Sequence, residues 1–106
     1  MCDTQTLAAS AEGYIIRCSD CGRIQLCFGI AAVALKSDQL KRLQTHTSEA
    51  VLYGAAYSEA PGHRCISVPL NQLMILCLSW QELVALDELL CQAGAMMEVY
   101  EMLAKG

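Results

Sequence analysis

Two cysteines separated by two residues form the part of this sequence best suited to chemistry. Cys18 and Cys21 stand in the segment CSDCGR, which ends with Gly22 and Arg23. This spacing can bring two sulfurs together on one metal ion or in one disulfide. Because glycine permits a tight reversal of the chain, the pair is predicted to lie in a hairpin turn between two strands.

A structural zinc site is the first interpretation of this pair. Such a site needs four ligands, so two more must come from elsewhere in the chain. His63 and Cys65 are the strongest candidates, because residues two apart in a strand project from one face, about 6.5 Å from each other. Cys2 is the spare candidate, since no second Cys-x-x-Cys pair exists. The predicted zinc ligands are therefore Cys18, Cys21, His63 and Cys65.

Thiol redox chemistry is the second interpretation, with Cys18 as the attacking thiol and Cys21 as the resolving one. In thioredoxin-like proteins the motif opens a helix whose N-terminus stabilises the thiolate. Here the strand-like residues 23–28 follow it, which disfavours that mechanism. The third interpretation is a reduced pair in a hairpin turn with no chemical role, and the sequence leaves all three open.

The remaining cysteines are separated into types by their surroundings. Cys27, Cys77 and Cys91 lie in apolar runs, where a thiol behaves as a small hydrophobic side chain. These three are predicted to be buried and structural. The total of seven cysteines is odd, so the cysteines cannot all pair within one chain.

Composition and charge limit the partners and the location. The 106 residues are the size of one domain, residues 1–106. A net charge of −4 with seven dispersed basic residues argues against nucleic-acid binding. The longest apolar run, residues 26–35, is too short to cross a membrane, which takes about 18 residues or more. The first residues lack a secretion signal, so we expect a cytoplasmic protein.

The chain has more apolar surface than its size can easily bury. Its composition is 55% hydrophobic and 17% charged, against roughly 25% charged in an average soluble domain. The surplus predicts a homo-oligomer, most simply a homodimer, or a face covered by a protein partner. A compact monomer with an alanine- and cysteine-rich core is the alternative.

The hydrophobic periodicity predicts an α+β fold, in which an antiparallel sheet of four to five strands carries two helices on one face. One helix is expected to be N-capped by Ser37 and to stop by Gly54, and the other to begin with a capping box over residues 79–82. Residues 30–35 and 73–78 are predicted to be strands buried on both faces. The remaining predicted strands are residues 12–18, 23–28 and 64–68.

The two halves of the chain resemble each other. Residues 12–57 and residues 62–105 each read as a hairpin, a cap and a helix, at an offset of about 42 residues. This similarity predicts a duplicated ββα unit within the single domain. One antiparallel sheet backed by two helices, without any duplication, is the alternative.

The Cys18-x-x-Cys21 pair, the following Phe28-Gly29 strand end and the later leucine pairs together resemble a family of small uncharacterised bacterial proteins of Bacteroidota type. The resemblance extends from about Cys18 to Leu103, and the Cys-x-x-Cys and Phe-Gly segment is its distinctive part. It implies a cytosolic bacterial accessory protein and transfers no catalytic residue.

These observations favour a small cytosolic, non-enzymatic interaction or regulatory domain, stabilised by a structural zinc at Cys18 and Cys21. The competing expectation is a thiol redox protein that uses the same pair. The sequence contains no glycine-rich phosphate loop, and no serine and acid arrangement accompanies its two histidines. No class of enzyme is therefore favoured.

Overall fold

A computed structural model of the chain describes residues 3–54, 62–64 and 66–105. Four strands form one antiparallel sheet in the order β1-β2-β3-β4, and β5 and β6 form a second, two-stranded sheet. The predicted α+β class and the two helices are confirmed, although the strands form two sheets and not one. The elements are β1 (Thr4–Ala9), β2 (Gly13–Cys18), β3 (Ile24–Phe28), β4 (Ala31–Leu35), α1 (Ser37–Tyr53), β5 (Ile66–Pro69), β6 (Ile75–Leu78) and α2 (Trp80–Lys105).

The core lies on one face of the four-stranded sheet. On β3, Ile24, Leu26 and Phe28 are buried, whereas Gln25 between them is exposed. This alternation is that of a strand with one face against a core and one face toward solvent. Leu40 and Leu43 of α1 belong to the same buried cluster as these strand residues. The opposite face of the sheet therefore carries neither helix.

Helix α2 supplies the largest group of core side chains. They recur at the three- and four-residue steps of one helix face. The helix runs without a break past Gly94, where a Cβ atom would lie only 2.8 Å from the Gln44 Oε1 of α1. The glycine thus permits close approach of the two helices and does not split α2. The buried residues of α2 are Leu83, Leu86, Leu89, Leu90, Ala93 and Met97.

The two helices begin differently. At α2 the predicted capping box is present, because the Glu82 amide donates to Ser79 Oγ (3.1 Å) and the Ser79 amide donates to Glu82 Oε1 (3.0 Å). At α1 the cap is Lys36 and not the predicted Ser37. The Lys36 amide donates to the Gln39 side chain at 2.8 Å, so this helix also has a side chain reaching back over its first turn.

Two strands predicted to be buried on both faces are open on one. Ala32 and Ala34 of β4 are exposed, as are Ile75 and Cys77 of β6. The predicted burial of Cys77 and Cys91 is wrong as well, since both are exposed, while Cys27 is half-buried. An apolar run indicates burial on both faces only when layers cover both sides, and here the helices cover one.

Strand β1 is an element that the sequence pattern did not predict. It pairs antiparallel with β2, from Thr4 opposite Cys18 to Ala9 opposite Tyr14, with a bulge between Thr6 and Ala8. The bulge interrupts the strict alternation, so Leu7 and Ala8 are both buried although they are adjacent. That interruption explains why period-two patterning does not identify this strand.

The ion pair at the start of α2 is expected to make the free energy of unfolding depend on pH. Arg64 Nε lies 3.0 Å from Glu82 Oε1, and this guanidinium, together with the Ser79 amide, holds the pKa of the Glu82 carboxyl below its ordinary 4.5. A carboxyl with a lowered folded-state pKa stabilises the fold above its unfolded pKa, and this stabilisation is lost as the pH falls through the folded value. We expect Glu82→Gln to remove stability at neutral pH and to remove progressively less below pH 4.5.

Urea unfolding at several pH values measures this difference. Glu88→Gln is the matched control, because Glu88 lies on an exposed part of the same helix. Its unfolding free energy is expected to follow that of the unchanged chain across the pH range. A Glu82→Gln deficit that stays constant down to pH 3 would contradict the role of the carboxylate charge.

Candidate functional site

The predicted cysteine pair lies in the turn between β2 and β3, as the sequence indicated. Cys18 ends β2, its amide donates to the Arg23 carbonyl oxygen at 2.9 Å, and Ile24 begins β3. Gly22 adopts a positive φ of 75°, which an L side chain rarely tolerates. Its amide donates back to the Cys18 carbonyl oxygen at 2.9 Å. The glycine therefore closes the turn that carries both cysteines.

The turn brings the two cysteines into direct contact. The Cys21 amide lies 3.4 Å from Cys18 Sγ, to which it donates. Cys18 is only 9% exposed, whereas Cys21 is exposed. The pair thus combines a shielded sulfur with a more accessible one, as in thiol exchange or metal binding.

Cys18 is disulfide-bonded in this structure. A sulfur in a disulfide carries no thiolate, and a thiolate is the form that binds zinc. Zinc coordination at this position therefore requires the reduced chain. Cys27, Cys77 and Cys91 are free thiols, so the described residues contain cysteines in both oxidation states.

The other two predicted zinc ligands are placed only in part. His63 is described and exposed, whereas Cys65 and the spare candidate Cys2 lie outside the described residues. Arg64, the neighbour of His63, pairs with Glu82 near the start of α2.

The cysteine turn contacts α2 near the end of that helix, whereas Arg64 contacts it near the start. Arg17, the neighbour of Cys18, lies 5.6 Å from the centre of the Tyr100 ring near the end of α2. The 18 positions between Glu82 and Tyr100 correspond to about 27 Å of helix. The Arg64–Glu82 ion pair places the neighbouring His63 near the start of α2, and the Arg17–Tyr100 contact places the cysteine turn near its end. Within the part of the chain that the structure describes, no three histidine, cysteine or acidic side chains form a group that could hold a metal ion.

A shallow groove of about 520 Å³ opens beside the cysteine turn. Cys18 and Cys21 line one end of it, with Arg23 beside them, and Ala32 and Ala34 of β4 line the other. Sequence reasoning identified the two cysteines but not the rest of the lining. The missing signal is the strand register, which the amino-acid pattern alone does not provide. The other residues that line the groove are Thr4, Ile16, Gln25 and Val33.

The groove belongs to a larger surface, which we term the outer face. It is the side of the four-stranded sheet turned away from the helices, and cross-strand partners share it because paired side chains project to the same side. None of these strand side chains is acidic or basic, and Arg23 of the cysteine turn borders them where it lines the groove. The outer face consists of Thr4, Thr6, Ala9, Tyr14, Ile16, Cys18, Gln25, Cys27, Ala32 and Ala34.

The one phenol on the outer face is also kept neutral. Tyr14 lies directly opposite Cys27 in the β2–β3 register. Hydrogen bonding with the Cys27 side chain raises the pKa of the Tyr14 hydroxyl above its ordinary value of 10.0. A raised phenol pKa favours the uncharged form. A phenol is uncharged at neutral pH even at its ordinary pKa, so Tyr14 adds no charge to the outer face there.

A second groove, of about 680 Å³, lies between α1 and the β5–β6 turn. Arg42 and His46 line its polar side, and Leu73 and Met74 line its apolar side. Asn71 shapes the turn, because its Oδ1 accepts the amides of Leu73 (2.8 Å) and Met74 (2.9 Å). Arg42 is paired with Asp38 at 3.1 Å, so this groove offers no converging set of catalytic groups.

Comparison with known proteins identifies a family but no activity. The model of a family described as a family of unknown function (DUF6686) matches residues 1–104, and the chain belongs to that family. No curated protein and no solved structure matches it. None of the helices in the described ranges is long and apolar enough to cross a membrane. The predicted membership of an uncharacterised family is confirmed, and the family assigns no role to any residue.

The disulfide bond of Cys18 predicts how many reactive thiols the protein has. Non-reduced, denatured protein is expected to show five reactive thiols among its seven cysteines, because one disulfide removes two. Cys18→Ser is expected to raise the count to six, since the former partner is released. Cys91→Ser, which removes a free thiol, is the matched control and is expected to lower the count to four. Labelling followed by mass spectrometry measures the count, and seven thiols in the unchanged chain would contradict the disulfide.

Proposed function

We propose that this chain is a small, non-enzymatic interaction domain of the cytoplasm that associates with a second copy of itself through its four-stranded sheet, one side of which carries no helix. The single observation that carries the proposal is the outer face. It spans all four strands, contains no acidic or basic side chain, and lies opposite the helix layer. A wide uncharged surface of this kind is typical of protein contacts.

The exposure of individual side chains supports an interaction surface on this part of the sheet. Tyr14 is 42% exposed although it lies within a strand, as the second residue of β2. Ile30, at the turn that leads into β4, is fully exposed. Aromatic and large aliphatic side chains contribute most to association when they are removed from water.

Charge favours a protein partner over nucleic acid or an acidic membrane. The chain carries a net charge of −4, and the outer face contributes no basic side chain that could bind phosphate. A second copy fits this sheet because an isologous contact pairs uncharged strand residues with the same residues of the other copy. The charges of the two copies then remain outside the contact, where water and salt screen them.

The proposal predicts a particle of two chains. Light scattering during size exclusion at micromolar concentration is expected to give about twice the chain mass of 11.5 kDa. Raising the salt concentration is expected to leave this mass unchanged, because the contact is uncharged. A mass of one chain at every concentration would overturn the proposal of self-association.

A second candidate function is a thiol switch at Cys18 and Cys21. It is favoured by the Cys18 disulfide and by the Cys21 amide 3.4 Å from Cys18 Sγ. In the exchange, the Cys21 thiolate attacks Cys18 Sγ and forms a Cys18–Cys21 disulfide. The former partner of Cys18 leaves as a thiolate, so no outside oxidant is consumed. Reduction of the resulting disulfide in the cytoplasm would release both sulfurs, and a structural zinc would bind to this reduced pair.

Metal analysis and disulfide mapping separate the switch from zinc binding. Protein reduced with a phosphine and then given zinc is expected to retain one zinc per chain if the predicted metal site forms. Cys18→Ser is expected to lose this zinc, whereas Cys91→Ser is the control that retains it. Without zinc, partial reoxidation is expected to yield a Cys18–Cys21 disulfide in the thiol-switch case. A reduced chain that neither binds zinc nor forms this disulfide would leave the pair as a turn without chemistry.

A further inference from the structure

Strand β4 ends the four-stranded sheet with its outer edge unpaired. It is hydrogen-bonded to β3 on one side, and among the described residues no strand is hydrogen-bonded to the other. Alternate residues of an edge strand direct their amide and carbonyl groups away from the sheet, where they are able to pair with another strand. The β4 edge therefore presents a row of backbone donors and acceptors.

Among the described residues, the other edge of the sheet carries a protective device and the β4 edge carries none. Strand β1, at the other edge, contains a bulge between Thr6 and Ala8. Charges, proline, bulges and covering helices are the usual devices that prevent two edges from joining. The Ala31–Leu35 sequence of β4 contains no charge and no proline, and its register with β3 is regular. Of the two edges, β4 is therefore the one that the described part of the chain leaves open to a further strand.

We propose that β4 pairs antiparallel with β4 of a second copy of this chain, with Val33 on the two-fold axis. The proposal rests on the proposed self-association and names the contact through which it occurs. Residues directly opposite each other in an antiparallel pair project to the same face, so the axis must pass through a residue that faces itself. An axis at Val33, the central residue, pairs all five residues of Ala31–Leu35, whereas an axis at any other residue leaves part of the strand without a partner.

The side chains accept this register without a clash of charge or size. Ala32 would face Ala34 of the second copy on the outer face, and both positions are exposed in the single chain. The basic residue next to the strand, Lys36, would face the fully exposed Ile30 and not a second lysine. Like charges directly opposite each other destabilise a strand pair, and this register contains none.

The resulting assembly is one continuous sheet of eight strands. A two-fold axis perpendicular to the sheet keeps the helices of both copies on the same side, because Val33 projects to the same face in each. The two outer faces then join into one uncharged surface. The pairing also covers the exposed Ile30 side chain at each end of the strand pair.

Paired charge variants test the register. A32K/A34K places lysines opposite lysines across the axis, and A32E/A34E places glutamates opposite glutamates. Each variant alone is expected to lose the dimer and to scatter with the mass of one chain. An equimolar mixture is expected to regain twice the mass, because every lysine then faces a glutamate. Recovery in the mixture also shows that both variants are folded.

Thr6→Lys distinguishes edge pairing from face-to-face stacking. Thr6 is exposed on the outer face but lies on β1, at the far side of the sheet from β4. Edge pairing through β4 is expected to leave the Thr6→Lys variant dimeric, whereas stacking of the two outer faces would make it monomeric.

Three results would overturn the β4 contact while leaving self-association intact: dimers in both charge variants, no recovery in a mixture of folded variants, or a monomeric Thr6→Lys variant. A monomeric unchanged chain would instead overturn the proposed self-association itself.

Discussion

The structure depends on burial of one face, and only one face, of its main sheet. Four strands about 4.8 Å apart make a layer that two adjacent helices of about 10 Å diameter can cover. The described residues form two helices, and both contribute side chains to the same core as β3. The remaining strands, β5 and β6, contact the helices, so none of the described elements covers the other side of the main sheet. The open outer face, the exposed alanines of β4 and the position of the cysteine turn all follow from this arrangement.

Helix-forming patterns were readable from the sequence because they are local. The Ser79 and Glu82 capping box and the leucine stripe of α2 depend on residues a few positions apart, and both are present. The hairpin around Gly22 is equally local, since its positive φ is a property that glycine supplies by itself. These features also specify the α+β class and the position of the cysteine pair.

The sequence did not reveal features that depend on distant parts of the chain. Alanine and valine in β4 indicate a strand, but whether a second layer covers them depends on how many helices the whole chain forms. The exposed Cys77 and Cys91 show the same limit, because neighbouring leucines do not determine which side of an element faces the core. The separation of Arg17 and Arg64 along α2 likewise appears only when the tertiary contacts are known.

The one-sided core also connects the two kinds of chemistry that the outer face offers. Sequential pairing of β2, β3 and β4 places the cysteine turn two strands from the open edge, roughly 10 Å at the usual strand spacing. The groove joins them, with Cys18 at one end and Ala34 at the other. A partner strand added at β4 would extend the sheet next to this groove without covering it. Thiol chemistry and strand pairing can therefore occur in the same assembly, because one uses a face of the sheet and the other its edge.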